Sequence, residues 1–180
     1  LEISLSTGAI RTRASGAFVD MELAPGGRTV ALLAEGGDLQ DSRGPALAGT
    51  RRRRLQLGDL RTGRPLAPLP DDVHPDLLAW SPRGDRLLIL ARPAQAAGSW
   101  RFEIVDAATG KARPVAMPSL EPAFTAARDN EGTPAAAWLG ASPAVYARAE
   151  GTQHRADWYR LPAAGPKRLT GALQAPSPRL

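Results

Sequence analysis

The chain contains no cysteine and only two histidines, His74 and His154. Disulfides, thiolate metal sites and a cysteine nucleophile are therefore excluded. Aromatic residues make up only 5% of its 180 residues. No apolar run approaches the ~20 residues needed to span a bilayer. The longest, Leu87 to Ala91, has the length of a strand. Phosphate-binding loops and zinc-ligand spacings are missing too. So are a secretory pattern and a lipidation motif. The sequence starts at Leu1, without an initiator Met, inside a strand-like pattern, and a processed or partial product is expected.

What is abundant is punctuation. Gly (18) and Pro (17) break the chain every few residues, which suits short strands and tight turns better than long helices. Hydrophobic content of 43% is sufficient for a real core. The net charge is +5 and the isoelectric point about 10.6. That charge is almost wholly arginine, since only Lys111 and Lys167 are lysines. With the abundant alanine, this composition suggests a bacterial source with GC-rich codons. The arginines are scattered, not clustered with aromatics, so nucleic acid is not an expected partner. Composition leaves the compartment open, with a periplasmic or secreted location preferred to a cytoplasmic one.

A repeat organises the chain. "LAWSPRGDRLLILA" (78–91) superimposes without a gap on "MELAPGGRTVALLA" (21–34), and more loosely on "AAWLGASPAVYARA" (136–149). Trp80 thus meets Leu23 and Trp138. A second element follows each copy. "RLQLGDLRTGRPLAPLP" (54–70) resembles "RFEIVDAATGKARPVAMP" (101–118), each with a strand ending in Asp and then a Thr-Gly turn. "DWYRLPAAGPKRLTG" (157–171) is a third copy, and "LEISLSTGAIRTR" at the start is a fourth with nothing before it. The unit is four short strands in ~50–58 residues, the signature of a β-propeller blade. The expected fold is all-β, a β-propeller fragment of about three and a half four-stranded antiparallel blades. Its parts are the second half of a blade at 1–16, blades at 17–70, 71–119 and 120–171, and the start of a next blade at 172–180. A closed propeller has about four to eight blades. The remaining blades must then come from further sequence, a second chain or a second copy. The competing architecture is an irregular β-sandwich with repeated hairpins, whose strands rarely recur at this density.

The motif Trp80-Ser81-Pro82-x-Gly84, followed by Asp106, Thr109 and Gly110, resembles the WD40-like repeat of TolB-like propellers. The same repeat builds the N-terminal propeller of the prolyl oligopeptidase family of serine peptidases. Weaker echoes are Pro25, Gly27, Asp59, Thr62, Gly63 and Trp138. The resemblance covers nearly the whole chain, and its motifs are structural. It implies a propeller that caps a catalytic α/β-hydrolase domain and filters peptide substrates. No catalytic residue can be carried over. The nearest approach to a G-x-S-x-G elbow, Gly140-Ala-Ser-Pro-Ala, has Ala in place of the last Gly. The expected role is gating and orienting peptides for a hydrolase domain that this chain lacks. The alternative is a non-catalytic TolB-like propeller acting as a protein-binding scaffold.

In a four-stranded meander the two tight turns lie at one end and the longer connections at the other. Function concentrates in long loops on rigid scaffolds, here 36–50, 65–76, 92–99, 113–123 and 148–155. Candidates facing a substrate or partner there are Arg51, Arg52, Arg53 and Arg54, together with Asp71, Asp72, His74 and Glu121. The arginine run can serve as an anion site or a salt-bridged domain contact, or simply as a solvated edge. Asp71, Asp72 and Asp76 around His74 raise the idea of a metal. The prolines beside them favour a plain acidic connector, so neither metal nor cofactor is expected. Trp80, Trp138 and Leu23 are expected between blades rather than in a ligand ring. Asp59 and Asp106 are expected to bond the turn backbone.

Overall fold

The structure is a computed structural model, and it describes residues 2–3, 10–11, 18–35, 53–68, 73–93, 100–125, 133–151 and 156–170. All regular elements among them are strands. Two short strands, β1 (Glu2–Ile3) and β2 (Ile10–Arg11), pair antiparallel. The first sheet is a meander of β3 (Phe18–Leu23), β4 (Thr29–Glu35), β5 (Arg53–Asp59) and β6 (Arg64–Pro68). The middle sheet repeats it with β7 (Val73–Trp80), β8 (Arg86–Pro93), β9 (Arg101–Asp106) and β10 (Ala112–Pro114).

The third sheet departs from this pattern in its first strand. β11 (Leu120–Pro122) and β14 (Ala136–Leu139) both pair with the same edge of β15 (Ser142–Ala149). A small hairpin of β12 (Phe124–Thr125) and β13 (Thr133–Pro134) leaves the sheet between them. The break is centred on Tyr146, whose carbonyl accepts from the Ala123 amide and whose amide donates to the Ala135 carbonyl. The sheet is completed by β16 (Ala156–Arg160) and β17 (Lys167–Arg168).

The two prolines in segment 70–76 predict a loop. It is instead partly strand: β7 begins at Val73, and His74 stands in register with Arg92. Proline removes an amide donor, which an edge strand tolerates. β7 is such an edge, so Pro75 can pair opposite Ala91 through its other backbone groups. For the same reason the edge strand β6 extends through Pro68 into the expected connection 65–76, and β8 runs into 92–99 to end at Pro93, beyond its last pairing with β9 at Ala91.

The three sheets stack face to face, with β7 against the first sheet and β14 against β7. The middle sheet is consequently buried on both faces. Leu87, Ile89, Ala91 and Val105 join Leu33, Leu55 and Leu57 of the first sheet. Leu88, Leu90, Phe102 and Ile104 join Val145, Ala147 and Leu161 of the third. This explains why "LLILA" is an unbroken apolar run, where a sheet wetted on one face would alternate.

Two indoles bridge the stack. Trp80 Nε1 donates to the Glu22 carbonyl at 3.1 Å, and Trp138 Nε1 donates to the Ala79 carbonyl at 3.0 Å. Each acceptor sits one residue before the Trp-equivalent position on the preceding sheet. The Ala24 amide bonds the Thr29 carbonyl, and the Ser81 amide bonds the Arg86 carbonyl. By antiparallel alternation, Glu22–Ala31 and Ala79–Leu88 are then hydrogen-bonded pairs as well. The indole therefore takes the second lone pair of a carbonyl already engaged in its own sheet. The Arg86 guanidinium lies 4.8 Å from the centroid of the Trp138 ring, adding a cation–π contact to that interface. Leu23 does not share this role. It is 51% exposed, contrary to expectation, because it lies on the face of the first sheet turned away from the middle sheet.

The tight turns interlock as well. Gly84 has φ +68°, and a Cβ there would meet the Pro25 carbonyl oxygen at 3.0 Å and the Ala24 Cβ at 3.3 Å. Gly140 has a similar φ of +63° but open space around it. Gly140→Ala should cost only the left-handed backbone penalty, about 1–2 kcal/mol. Gly84→Ala should cost distinctly more, since the turns of two sheets must also separate. Denaturant titration of both variants checks this, and equal losses would show that the turn contact contributes nothing.

Candidate functional site: the long-connection end of the sheets

Each meander places its first and third turns at one end, and these ends are built to be closed. Asp59 Oδ1 accepts from the amides of Arg61 (2.8 Å) and Thr62 (3.1 Å), while Oδ2 takes Arg28 at 2.9–3.0 Å. Asp106 Oδ1 accepts from the Thr109 amide and hydroxyl, both at 2.8 Å, and from the Ala108 amide at 3.2 Å. Gly63 and Gly110 then close the two turns at the same φ of 68°. The aspartates do bond their local backbone, as their spacing implied. In the middle sheet Ser81, 1% exposed, donates its hydroxyl to Asp85 Oδ1 at 2.6 Å and accepts from the Arg86 amide at 3.1 Å. Its hydroxyl is thus committed to holding a turn.

The opposite end carries four of the charged residues singled out above, Arg53, Arg54, His74 and Glu121. Arg53 opens β5 in register with Glu35, and Arg54 follows it, exposed, opposite Ala34. His74 lies near the start of β7. Glu121 on β11 pairs with Arg148 directly across the strands, Nε to Oε1 at 2.6 Å. Arg51, Arg52, Asp71 and Asp72 lie outside the described residues, as does His154. The topology brings Arg53, Arg54, His74 and Glu121 to one end of three successive sheets.

Three further residues join them. Arg101 at the start of β9 binds Glu103, Nε to Oε1 at 2.5 Å, with the Glu103 side chain 4% exposed. Arg148 is the partner of Glu121, and Arg92 stands opposite His74. Arg101 and Glu103 are legible as an i,i+2 pair on one face of a strand. Arg148 is not, because its pairing depends on the split first strand. Farther along, Asp157 binds Arg168 and accepts from the Thr170 hydroxyl at 3.0 Å, which ties β16 to the chain after β17. Among the described residues, no three His, Asp or Glu side chains converge on one point. Among the described side chains, Arg101 and Arg148 each bring a guanidinium beside a carboxylate, and such groups hydrogen-bond carbonyl and carboxylate oxygens.

Glu22 stands apart. Its Oε2 is buried without a hydrogen-bond partner. Burial, with a smaller contribution from Asp20, raises its carboxyl above the usual carboxylate range. Asp106, Asp59 and Asp85 go the other way, held low chiefly by Thr109, Arg28 and Ser81 respectively.

No protein-family model and no curated protein matches the sequence.

The two kinds of carboxyl group carry opposite signs. A depressed carboxyl contributes stability that is complete above the ordinary value of about 4 and is lost as pH falls through the folded value. A raised carboxyl opposes folding once ionised, and this opposition fades as pH falls through its folded value. Glu22→Gln should therefore raise Tm at neutral pH, with the gain shrinking toward about pH 4. Asp106→Asn should lower Tm at neutral pH, with a penalty that shrinks below about pH 4. Thermal melts across this range test both. A gain from Glu22→Gln that ignores pH would rule out the carboxyl charge as its cause.

Proposed function

We propose that this chain is part of a β-propeller that gates and orients peptides for the catalytic α/β-hydrolase domain of a prolyl-oligopeptidase-like serine hydrolase. The observation that carries this is the stacking of successive antiparallel sheets of four to five strands through one recurring indole contact. A sandwich has two sheets facing each other. Here the middle sheet is sandwiched between two others, and the same face of each sheet meets its predecessor. That is how blades follow one another around an axis. The long-connection end, with Arg53, Arg54, His74, Arg101, Glu121 and Arg148, is the surface offered to the catalytic domain or to the peptide. The chain's own part is recognition and exclusion, and the serine nucleophile and its base belong to the other domain.

The second reading is a non-catalytic TolB-like propeller that binds proteins through the same end. It is favoured by the use of Ser81 as a turn brace and by the short-range pairing of charges along the rim.

The discriminating experiment uses the complete polypeptide in which this sequence occurs, treated with a fluorophosphonate probe and assayed on a proline-containing fluorogenic peptide. The hydrolase reading expects covalent labelling of a serine outside residues 1–180. It also expects Arg101→Ala with Arg148→Ala to change the ratio of activity on long and short peptides while leaving the labelling rate intact. A polypeptide that neither labels nor cleaves the peptide overturns that reading and leaves the scaffold one.

A further inference from the structure

The two interfaces in the stack obey one rule, and the rule can be applied once more. Trp80 reaches the carbonyl of residue 22 on the first sheet, and Trp138 reaches the carbonyl of residue 79 on the middle sheet. The equivalent acceptor on the third sheet is the carbonyl of Ala137, one residue before Trp138. The Tyr146 amide bonds the Ala135 carbonyl, so by alternation Ala137 and Ala144 form the next hydrogen-bonded pair. The Ala137 carbonyl is therefore placed as Glu22 and Ala79 are, with one lone pair in the ladder and one directed away from it.

The surroundings of that acceptor fit an incoming apolar sheet. Register assigns Ala137, Leu139, Ala144, Tyr146 and Trp158 to the face turned away from the middle sheet. Tyr146 and Trp158 form a tilted pair with ring centroids 6.0 Å apart. By register they stand where Leu90 and Phe102 stand on the middle sheet, and both of those are buried under the third sheet. Ser142 takes the Arg86 position and Ala144, with Arg160 across from it, the Leu88 position, so an indole arriving here meets a methyl group beside the aromatic pair and the Arg160 side chain. Leu139 on the same face is 43% exposed.

We infer that the outward face of the third sheet is the docking surface for a further four-stranded antiparallel sheet that presents an indole N–H to the Ala137 carbonyl. The occupant is defined by chemistry: a tryptophan at the turn end of its first strand, followed by an apolar second strand like Leu87–Ala91. The inference rests on the propeller reading for the existence of such a sheet. It is independent of the hydrolase reading, because its test involves no activity.

The natural absence of cysteine supplies the test. The full chain is extended at its end by a flexible linker and a second copy of residues 71–119, which carries its own Trp80. Single cysteines report coverage through their alkylation rates: Leu139→Cys on the proposed face, Leu23→Cys on the opposite outer face, and Ile89→Cys inside the appended copy. Docking should slow Leu139→Cys at least about tenfold relative to the unextended chain. It should leave Leu23→Cys unchanged and protect Ile89→Cys in the appended copy. Trp80→Phe in that copy should restore most of the Leu139→Cys reactivity. Protection that survives Trp80→Phe overturns the indole rule, and protection of Leu23→Cys places the docking surface on the wrong face. An appended copy whose Ile89→Cys stays reactive also overturns the inference, because a face that receives a sheet must let it fold.

Discussion

The stack depends on an indole N–H that crosses from one sheet to the first strand of the sheet before it. A β-sheet with two apolar faces has no means of its own to choose how far a neighbour slides or rotates over it, because apolar contact is non-directional. The hydrogen bonds of Trp80 to Glu22 and of Trp138 to Ala79 remove that freedom. Each is worth only about 1 kcal/mol net. Their value lies in position, since each pins the turn end of a sheet's first strand. Gly84 against Pro25 then sets how closely two turns can approach. Registry comes from these few directional contacts, and most of the stability comes from the residues between them, such as Leu33, Leu57, Leu87, Ile89 and Val105.

The two interfaces are built differently on this common element. The first has small and branched aliphatics around Trp80, and the position equivalent to Arg86 is Thr29. The second sets Arg86 over Trp138 and collects larger groups around it, including Phe102, Trp100, Met117 and Tyr159. Sheets that share a fold but differ in such details cannot exchange places without leaving a cavity or crowding an aromatic ring. The differences between repeats therefore act as an address for each sheet, while their common features hold the stack together.

Much of this was legible in the sequence because the repeat exposes it. Comparing Trp80 with Trp138, and Asp59 with Asp106, separates what recurs from what varies, and what recurs has turned out to be turns and interface. The apolar run Leu87–Ala91 reads as a strand, and its burial on both faces emerges only from the stack. Three further features were not legible. His74 reads as a loop residue because prolines punctuate its segment, and only the edge position of β7 makes them compatible with a strand. Leu23 occupies the tryptophan position but faces outward, and sequence alignment cannot tell which face of a terminal sheet is covered. Glu121 meets Arg148 because the first strand of the third sheet is interrupted and resumes on the same partner. Nothing local in the residues 120–139 announces that.

The two ends of the sheets answer different demands. At the tight-turn end, Asp59, Asp85 and Asp106 spend their oxygens on amides and hydroxyls a few residues away, which makes each turn stiff and leaves little capacity for a ligand. At the long-connection end, Arg101 and Arg148 each hold one carboxylate through Nε. A guanidinium has five N–H donors in a planar fork, so a single such contact leaves donors that can turn outward. A rim of guanidinium groups keeps its geometry only if the strands that carry it keep their spacing. In this chain the spacing is set some 20 Å away along strands of seven or eight residues, by the indoles and turns of the closed end.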